Sequence, residues 1–481
     1  MVYQLKNGIF FYLCEMLENF ISRQIRSCFP FEPTEQQQQL IDALAIFLHA
    51  PQPEKLFLLK GYAGTGKTSL VSALVRAMDQ LKQPTMLLAP TGRAAKVLSS
   101  YSGFPAFTIH KKIYRQKSIA EWSFQLSDNL HKNTLFIVDE ASMISNEGGD
   151  TSFGSGYLLD DLIKFVYQGS NCSLLLLGDV AQLPPVMQEG SPALDPQRLH
   201  GYGLHVTEFT LTQVVRQALE SGILFNATLL RKALSDEQTS EFPEFQLSEF
   251  KDIAVLSGME LVDEVRSSYD GVGLEDTIII TRSNKMAQFY NRGIRASVLQ
   301  LEEEISNGDL LMVTRNNYYW SKPYDEIDFI ANGDILKINR VGRSYEMYGF
   351  RFCDLSLESL DFGWEIDARI WMDSLQAESP ALQAELSQQL FKAVEEDYQH
   401  IGNKRERYKQ MFENEFLNAL QLKFAYAITC HKAQGGQWSK VFVDLNRNQE
   451  MPVDKSYYRW LYTAITRSTN TVYLLNYPTT T

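Results

Sequence analysis

Cysteine is scarce in this sequence. Five residues in 481, Cys14, Cys28, Cys172, Cys353 and Cys430, are odd in number and scattered, and no C-x-x-C pair occurs. That excludes a disulfide framework and a cysteine zinc site, and it suits a reducing cytoplasm, the expected location. No apolar run approaches the roughly 20 residues needed to span a bilayer, so no membrane association is expected. The opening MVYQLKNGIFFYLCEM has a brief apolar patch but no small-residue cleavage site, and does not read as a signal peptide. Met16 is a plausible alternative start, and residues 1–30 read as an N-terminal extension. Low-complexity tracts and fixed-period repeats are absent as well. Positive charge is not in excess: 45 Lys and Arg against 58 Asp and Glu leave a net charge of −13. This counts against coating nucleic acid through bulk charge, but not against a narrow groove built from backbone amides and a few basic residues.

What is present is globular, 44% apolar and 21% charged. The length exceeds that of a single core and implies several domains. Short apolar runs sit ahead of turn or polar residues at 56–59, 85–90, 134–140, 173–179, 277–283, 440–445 and 471–477, with helical stretches such as 34–49 and 68–82 between several of them. Non-alternating apolar strands separated by helices indicate parallel sheets covered on both faces. Four such strands precede residue 180 and three follow 276, which predicts two α/β layers. Residues 310–375 alternate apolar and polar positions and are rich in aromatic residues, the pattern of a small antiparallel barrel. Residues 381–420 are strongly helical with dispersed charge, and read as a solvated helical hairpin or stalk.

LFLLKGYAGTGKTSL fits G-x-x-x-x-G-K-[ST] after an apolar strand and before a helix. Gly61, Gly64, Thr65, Gly66, Lys67, Thr68 and Ser69 would form a phosphate loop. Its backbone N–H groups close on phosphate oxygens at a helix N-terminus. Lys67 would reach the β/γ-phosphates, and the Thr68 hydroxyl would ligate Mg²⁺. TLFIVDE supplies Asp139 and Glu140 at a strand end. Adjacent strand residues point to opposite faces, so Asp139 can hold Mg²⁺ while Glu140 acts as general base. LLLLGDVAQLPPV brings Asp179 and Gln182 to the carboxyl end of a neighbouring strand, where ligands bind in open α/β sheets. Gln182 would then contact the γ-phosphate or the attacking water.

Together these residues resemble a superfamily-1 helicase, in the family's motif order from about residue 31 to 477. The resemblance implies an α/β fold of two RecA-like parallel-sheet domains, 31–203 and 204–309 with 421–481. It also implies a small β-hairpin near 111–134 in the first domain and an SH3-like barrel with a helical insertion at 310–420 in the second. FEPTEQQ resembles the glutamine motif, in which Gln37 would read adenine; Thr34 to Gln37 is equally a capping box for the helix that follows. LTQVVRQ and LYTAITRS resemble motifs that bring Arg216 and Arg467 to the transferred phosphoryl. Gly435 falls in the fifth motif, which couples ATP and nucleic acid.

By family position Pro90, Thr91, Arg93, Thr108 and His110 would line a single-strand track in the first domain, with Thr281, Asn284, Thr429, His431 and Lys432 in the second. Trp122 or Phe124 would wedge the terminal base pair, or else pack the hairpin onto its domain. GDVAQLPPV, TRSNKMAQFYN and FIANGD are similar to the class-B branch, RecD-like and Dda-like, which moves 5′ to 3′. The implied activity is ATP- and Mg²⁺-dependent translocation on single-stranded DNA with unwinding at duplex junctions. The protein would act as a monomer, with single-strand-binding or recombination proteins as partner classes and repair or recombination as setting. An RNA or RNP remodeller of the same fold and a non-processive nucleotide-gated binding module are the alternatives.

Overall fold

The computed structural model describes the chain apart from residues 1, 119–120, 149–153, 216–219, 325–326, 328, 378–379, 447–451 and 479–481; the side chains of 2–14, 116–118, 121–123 and 380–383 are also outside the description. The chain divides into two compact units, one of Met1–Gln116, Ser123–Gln246 and Asp454–Tyr462, the other of Lys117–Trp122, Leu247–Val453 and Thr463–Thr481.

The first unit is built on a six-stranded sheet in the order β3-β2-β6-β7-β1-β8. Its strands are β1 (Lys55–Gly61), β2 (Thr85–Ala89), β3 (Ala106–Thr108), β6 (Leu135–Val138), β7 (Ser173–Gly178) and β8 (His205–Leu211). All neighbouring pairs are parallel. β4 (Tyr114–Ser118) and β5 (Glu121–Leu126) form a separate two-stranded sheet. Every residue of β7 is buried, as expected of a strand covered on both faces. Around the sheet run α1 (Val2–Ser27), α2 (Glu35–His49), α3 (Lys67–Gln80), α4 (Gly92–Ser102), α5 (Ile109–Ile113), α6 (Leu158–Gln168), α7 (Pro196–Gly201) and α8 (Gly222–Ser235). Leu40 and Leu44 of α2 and Leu70 and Leu74 of α3 share one core with Phe57, Leu59, Ile137, Leu175 and Leu177. Ile21 and Ile25 of α1 join that core.

β8 differs from the sequence expectation, which places residue 204 at the start of the second domain. It pairs with β1 from Lys55↔His205 to Gly61↔Leu211 and so belongs to the first sheet. An edge strand is wet along much of its length, and Thr207, Glu208 and Thr210 dilute its apolar pattern.

The second unit has a parallel sheet in the order β16-β10-β17-β18-β9. It contains β9 (Ile253–Leu256), β10 (Thr277–Thr281), β16 (Ala427–Thr429), β17 (Trp438–Asp444) and β18 (Ser468–Leu475). The helices α9 (Leu261–Val272), α10 (Asn284–Gly293) and α13 (Cys430–Ala433) accompany it. A further sheet, antiparallel, has the order β14-β13-β12-β11-β15. Its strands are β11 (Leu310–Val313), β12 (Ile335–Met347), β13 (Phe350–Ser359), β14 (Glu365–Trp371) and β15 (Leu422–Phe424). A bridge between Ile370 and Leu420 brings its two edges together. α11 (Pro380–Asp397) and α12 (Lys404–Met411) do not form a free stalk. Leu390, Val394 and Met411 are buried with Phe350, Phe352 and Trp371 of the sheet. The dispersed charge of 381–420 hid this apolar stripe. The last helix, α14 (Lys455–Ile465), follows β17. Among the described residues no helix is long and apolar enough to cross a membrane.

Candidate nucleotide site and nucleic-acid track

The strand order β6-β7-β1 decides which chain segments meet. Three adjacent parallel strands end side by side, and their exits carry Asp139 and Glu140, Asp179 and Gln182, and the loop from Gly61 to Lys67.

In that loop Gly64 (φ 73°) and Gly66 (φ 85°) take the left-handed conformation that glycine adopts without a Cβ penalty. Gly66 is the N-cap of α3. A Cβ at Gly61 would lie 2.8 Å from the Lys67 side chain, so that close approach also requires glycine. The Lys67 ammonium donates to the carbonyls of Gly61 (2.6 Å) and Tyr62 (2.9 Å). Thr65 is buried and its hydroxyl donates to the Tyr62 carbonyl at 2.8 Å. Thr68 is exposed and Ser69 half-buried at the start of α3.

Asp139 follows β6. Its carboxylate accepts from the Tyr101 hydroxyl of α4 and from the Glu140 N–H at 2.8 Å. Burial, and then the adjacent Glu140, push its carboxyl above the ordinary range, while Tyr101 and Lys67 act the other way. The strand stops at Val138, and Glu140 has φ 52°, a left-handed conformation uncommon outside glycine. The two carboxylates are therefore separated by a turn, and the strand alternation expected from the sequence does not apply to them. Residues held in such sparsely populated conformations concentrate at functional sites.

Asp179 is 1% exposed. One oxygen accepts from the Ala181 N–H at 2.9 Å and the other from the Tyr462 hydroxyl at 2.6 Å. Burial raises its carboxyl, and Lys67 and Tyr462 oppose that. Gln182 is buried, and among the described residues its amide oxygen has no hydrogen-bond partner. A buried acceptor left unpaired costs about 1–3 kcal/mol and so marks a place where a donor is wanted.

The first two of the four glutamines after Thr34 divide their contacts. Gln37 closes the capping box, accepting from the Thr34 N–H at 2.9 Å, and donates to the Thr65 carbonyl at 3.0 Å. Both ends of the amide expected to read adenine are thus engaged within the protein. Gln36, which the sequence reading passed over, accepts from the N–H groups of Thr212 and Gln213, both at 2.9 Å. It also donates to the Thr210 carbonyl at 3.1 Å. The Val215 N–H then donates to the Gly64 carbonyl at 3.0 Å, so the segment leaving β8 is tied to the phosphate loop. Arg216 lies outside the described residues.

Arg467 is 5% exposed, and its guanidinium donates to the carbonyls of Thr463 (3.1 Å) and Gly436 (3.4 Å). The neighbouring Gly435 has φ 74°.

Along the expected track of the first unit, Pro90 ends β2 and Thr91 caps α4 by accepting from the Ala94 N–H. Thr108 caps α5 by accepting from the Lys111 N–H. Arg93 and His110 are half-buried. Phe124 is half-buried in β5, and the Trp122 side chain lies outside the described residues. In the second unit Asn284, His431 and Lys432 are exposed and Thr429 is half-buried. Lys432 donates to the Asn332 side chain at 2.6 Å. Thr281 is the exception: it is fully buried and its hydroxyl donates to the Ser283 carbonyl at 3.0 Å. As the inner end of β10 it cannot offer that hydroxyl to a strand in this conformation.

Oxygen donors and phosphates suit a hard cation such as Mg²⁺, which takes few protein ligands when phosphates supply the rest. Thr68 and Asp139 fit that need. No cluster of three or more His, Cys, Asp or Glu able to cage a metal occurs among the described residues.

Residues 33–241 match the family described as an AAA domain, and residues 424–475 match the UvrD-like helicase C-terminal domain. An uncharacterised protein of Acanthamoeba polyphaga mimivirus is 27% identical over 341 residues, 63% of this chain and 63% of that protein. The ATP-dependent RecD2 DNA helicase of Deinococcus radiodurans is 30% identical over 197 residues, 40% of this chain and 23% of the relative. The ATP-dependent DNA helicase dda of Enterobacteria phage T4 is 24% identical over 297 residues, 58% and 62% of the two chains. The matched regions therefore span 23% to 63% of the length of these relatives. Among solved structures, Pif1 helicase from Bacteroides in complex with ADP-AlF3 and ssDNA has a TM-score of 0.45 at 16% identity, covering 93% of each chain. An AAA domain followed by a UvrD-like helicase C-terminal domain, with RecD2 and dda as relatives, supports the resemblance of the chain to the superfamily-1 class B helicases, the RecD-like and Dda-like group.

Proposed function

We propose that this protein is an ATP-dependent DNA helicase that translocates 5′ to 3′ on single-stranded DNA. The observation that carries the reading is the convergence of Lys67, Asp139, Glu140 and Gln182 on the exits of three adjacent parallel strands. Phosphoryl transfer to water needs these parts: a cation on the transferred group, a metal carboxylate, a base and a residue that senses the terminal phosphate.

In this mechanism the amides of the phosphate loop and Lys67 bind the β- and γ-phosphates. Thr68 and Asp139 would hold Mg²⁺, whose chemistry there is to neutralise charge on the phosphate oxygens. Glu140 takes the proton of the attacking water, and Gln182 orients that water or the γ-phosphate. Arg216 and Arg467 are the proposed cations for charge that develops on the transferred group. Asn284, Thr429, His431 and Lys432, with Pro90, Thr91, Arg93, Thr108 and His110, would hold the strand through its backbone without reading sequence. The β4–β5 hairpin is proposed as the strand-separating element and the antiparallel sheet of the second unit as an SH3-like subdomain. The RecA-like boundary in this reading follows the first unit to Gln246.

The polarity rests on Leu183 to Val186, the LPPV that follows Gln182 and resembles the class-B branch. Strand displacement on 5′-tailed and 3′-tailed duplexes with ATP tests activity and direction together. Unwinding of the 5′-tailed substrate alone is expected. Unwinding only from a 3′ tail would overturn the direction, and no ATP-dependent unwinding of either would overturn the activity.

A further inference from the structure

Tyr462 lies in LYTAITRS, the motif in which the sequence points to Arg467 instead, and its hydroxyl joins two parts of the nucleotide site. It is 1% exposed and donates to Asp179 at 2.6 Å while accepting the Ala63 N–H at 2.8 Å. Ala63 belongs to the phosphate loop, and Asp179 ends β7. The second Asp179 oxygen accepts the Ala181 N–H, the backbone group just before Gln182. One hydroxyl thus couples the loop, the strand exit and the glutamine segment, and all these groups lie in the first unit.

The two bonds differ in what a nucleotide would do to them. Burial and the Asp179 charge hold the Tyr462 phenol well above its ordinary value, so it stays a neutral donor to that carboxylate. The Ala63 amide is another matter, because N–H groups of such loops are ligands for phosphate oxygens. A terminal phosphate oxygen and the Tyr462 hydroxyl can each accept that N–H, and the anionic phosphate oxygen is the stronger acceptor. The Arg231 guanidinium sits over the Tyr62 ring, 4.4 Å from its centroid, and adds a cation beside this end of the loop.

We propose that Tyr462 is a positioning residue of the nucleotide site, holding Asp179 and the Gln182 segment in register while yielding the Ala63 amide to the terminal phosphate of a nucleoside triphosphate. A diphosphate lacks the group that competes for this amide, so Tyr462 acts on the triphosphate alone. The inference rests on the proposed ATP site.

The test is steady-state ATP hydrolysis by the full chain, with ADP inhibition measured in parallel. Tyr462→Phe removes only the hydroxyl. Its kcat is expected to fall on the order of tenfold, the scale of one hydrogen bond to a charged group. KM for ATP should fall a few-fold, because no acceptor need be displaced, and the ADP inhibition constant should not move. Asp179→Asn keeps the Ala63 bond to Tyr462, and should lower kcat with KM unchanged. A Tyr462→Phe protein with wild-type kcat and KM overturns the proposal. So does one that weakens ATP and ADP equally, which is the mark of a merely structural role. Absence of ATP hydrolysis by the wild-type chain would instead remove the proposed function.

Discussion

The amide nitrogen of Gln37 donates to the backbone carbonyl of Thr65 at 3.0 Å, pinning the first turn of α2 to the phosphate loop. The fit is tight, since a Cβ at Gly66 would lie 2.4 Å from that nitrogen. Gln37→Glu keeps an oxygen for the Thr34 N–H, and so keeps the capping box, but cannot donate to Thr65. KM is expected to rise on the order of tenfold for ATP and GTP alike, because the lost bond is to the loop. A rise confined to ATP in a nucleotide-competition assay would show instead that Gln37 reads the base.

Glu140 combines a carboxylate with a left-handed backbone, and two substitutions separate them. Glu140→Gln should lower kcat by at least about a hundredfold, the usual share of a general base, with nucleotide affinity retained. Glu140→Gly should lose the same activity yet gain up to about 1 kcal/mol of stability, since glycine adopts positive φ freely. Turnover and thermal unfolding of the two variants check both halves. Retained turnover in Glu140→Gln would sink the general-base role.

Asp334 of the second unit predicts a pH dependence. It is 3% exposed, and burial, aided by Asp361, pushes its carboxyl up to about 7 although the Ala331 N–H opposes this. Between roughly pH 4 and pH 7 the folded protein holds a proton that the unfolded chain has lost. Stability from this group is therefore full at low pH and falls by about 1.4 kcal/mol per pH unit across that window. Denaturant titrations at several pH values should show the slope in the wild type and its loss in Asp334→Asn.

On the strand track, exposure separates two neighbouring residues. Thr281→Val should leave single-strand affinity within about twofold, the buried hydroxyl having no access to a strand. Asn284→Ala, at an exposed site, should weaken it several-fold. Lys432→Gln should reduce the slope of log affinity against log salt by about 0.7, one phosphate contact on a single strand. Fluorescence anisotropy with a labelled oligo-dT over a salt series measures all three.

Much of the site was legible because its signals are local. The phosphate loop, the Asp139–Glu140 pair and the Gln182 segment each occupy a few residues at a strand end, and apolar runs such as 174–177 announce their strands without reference to the rest of the chain. The wet pattern of β8 concealed its membership of the first sheet, and the charges of α11 and α12 concealed their buried stripe. Trp122 and Arg216, both expected in functional roles, fall where the structure does not describe the side chain.

The sequence alone determined the chemistry available here: a phosphate loop, paired carboxylates and a glutamine at strand ends, because those motifs act through neighbouring backbone. Tertiary structure decided which groups meet. Tyr462 and Asp179 are 283 positions apart, and Gln36 reaches Thr212 across 176. Such pairings follow from strand order and burial, which satisfy each enclosed polar group with whatever the fold brings near. No local pattern carries that information.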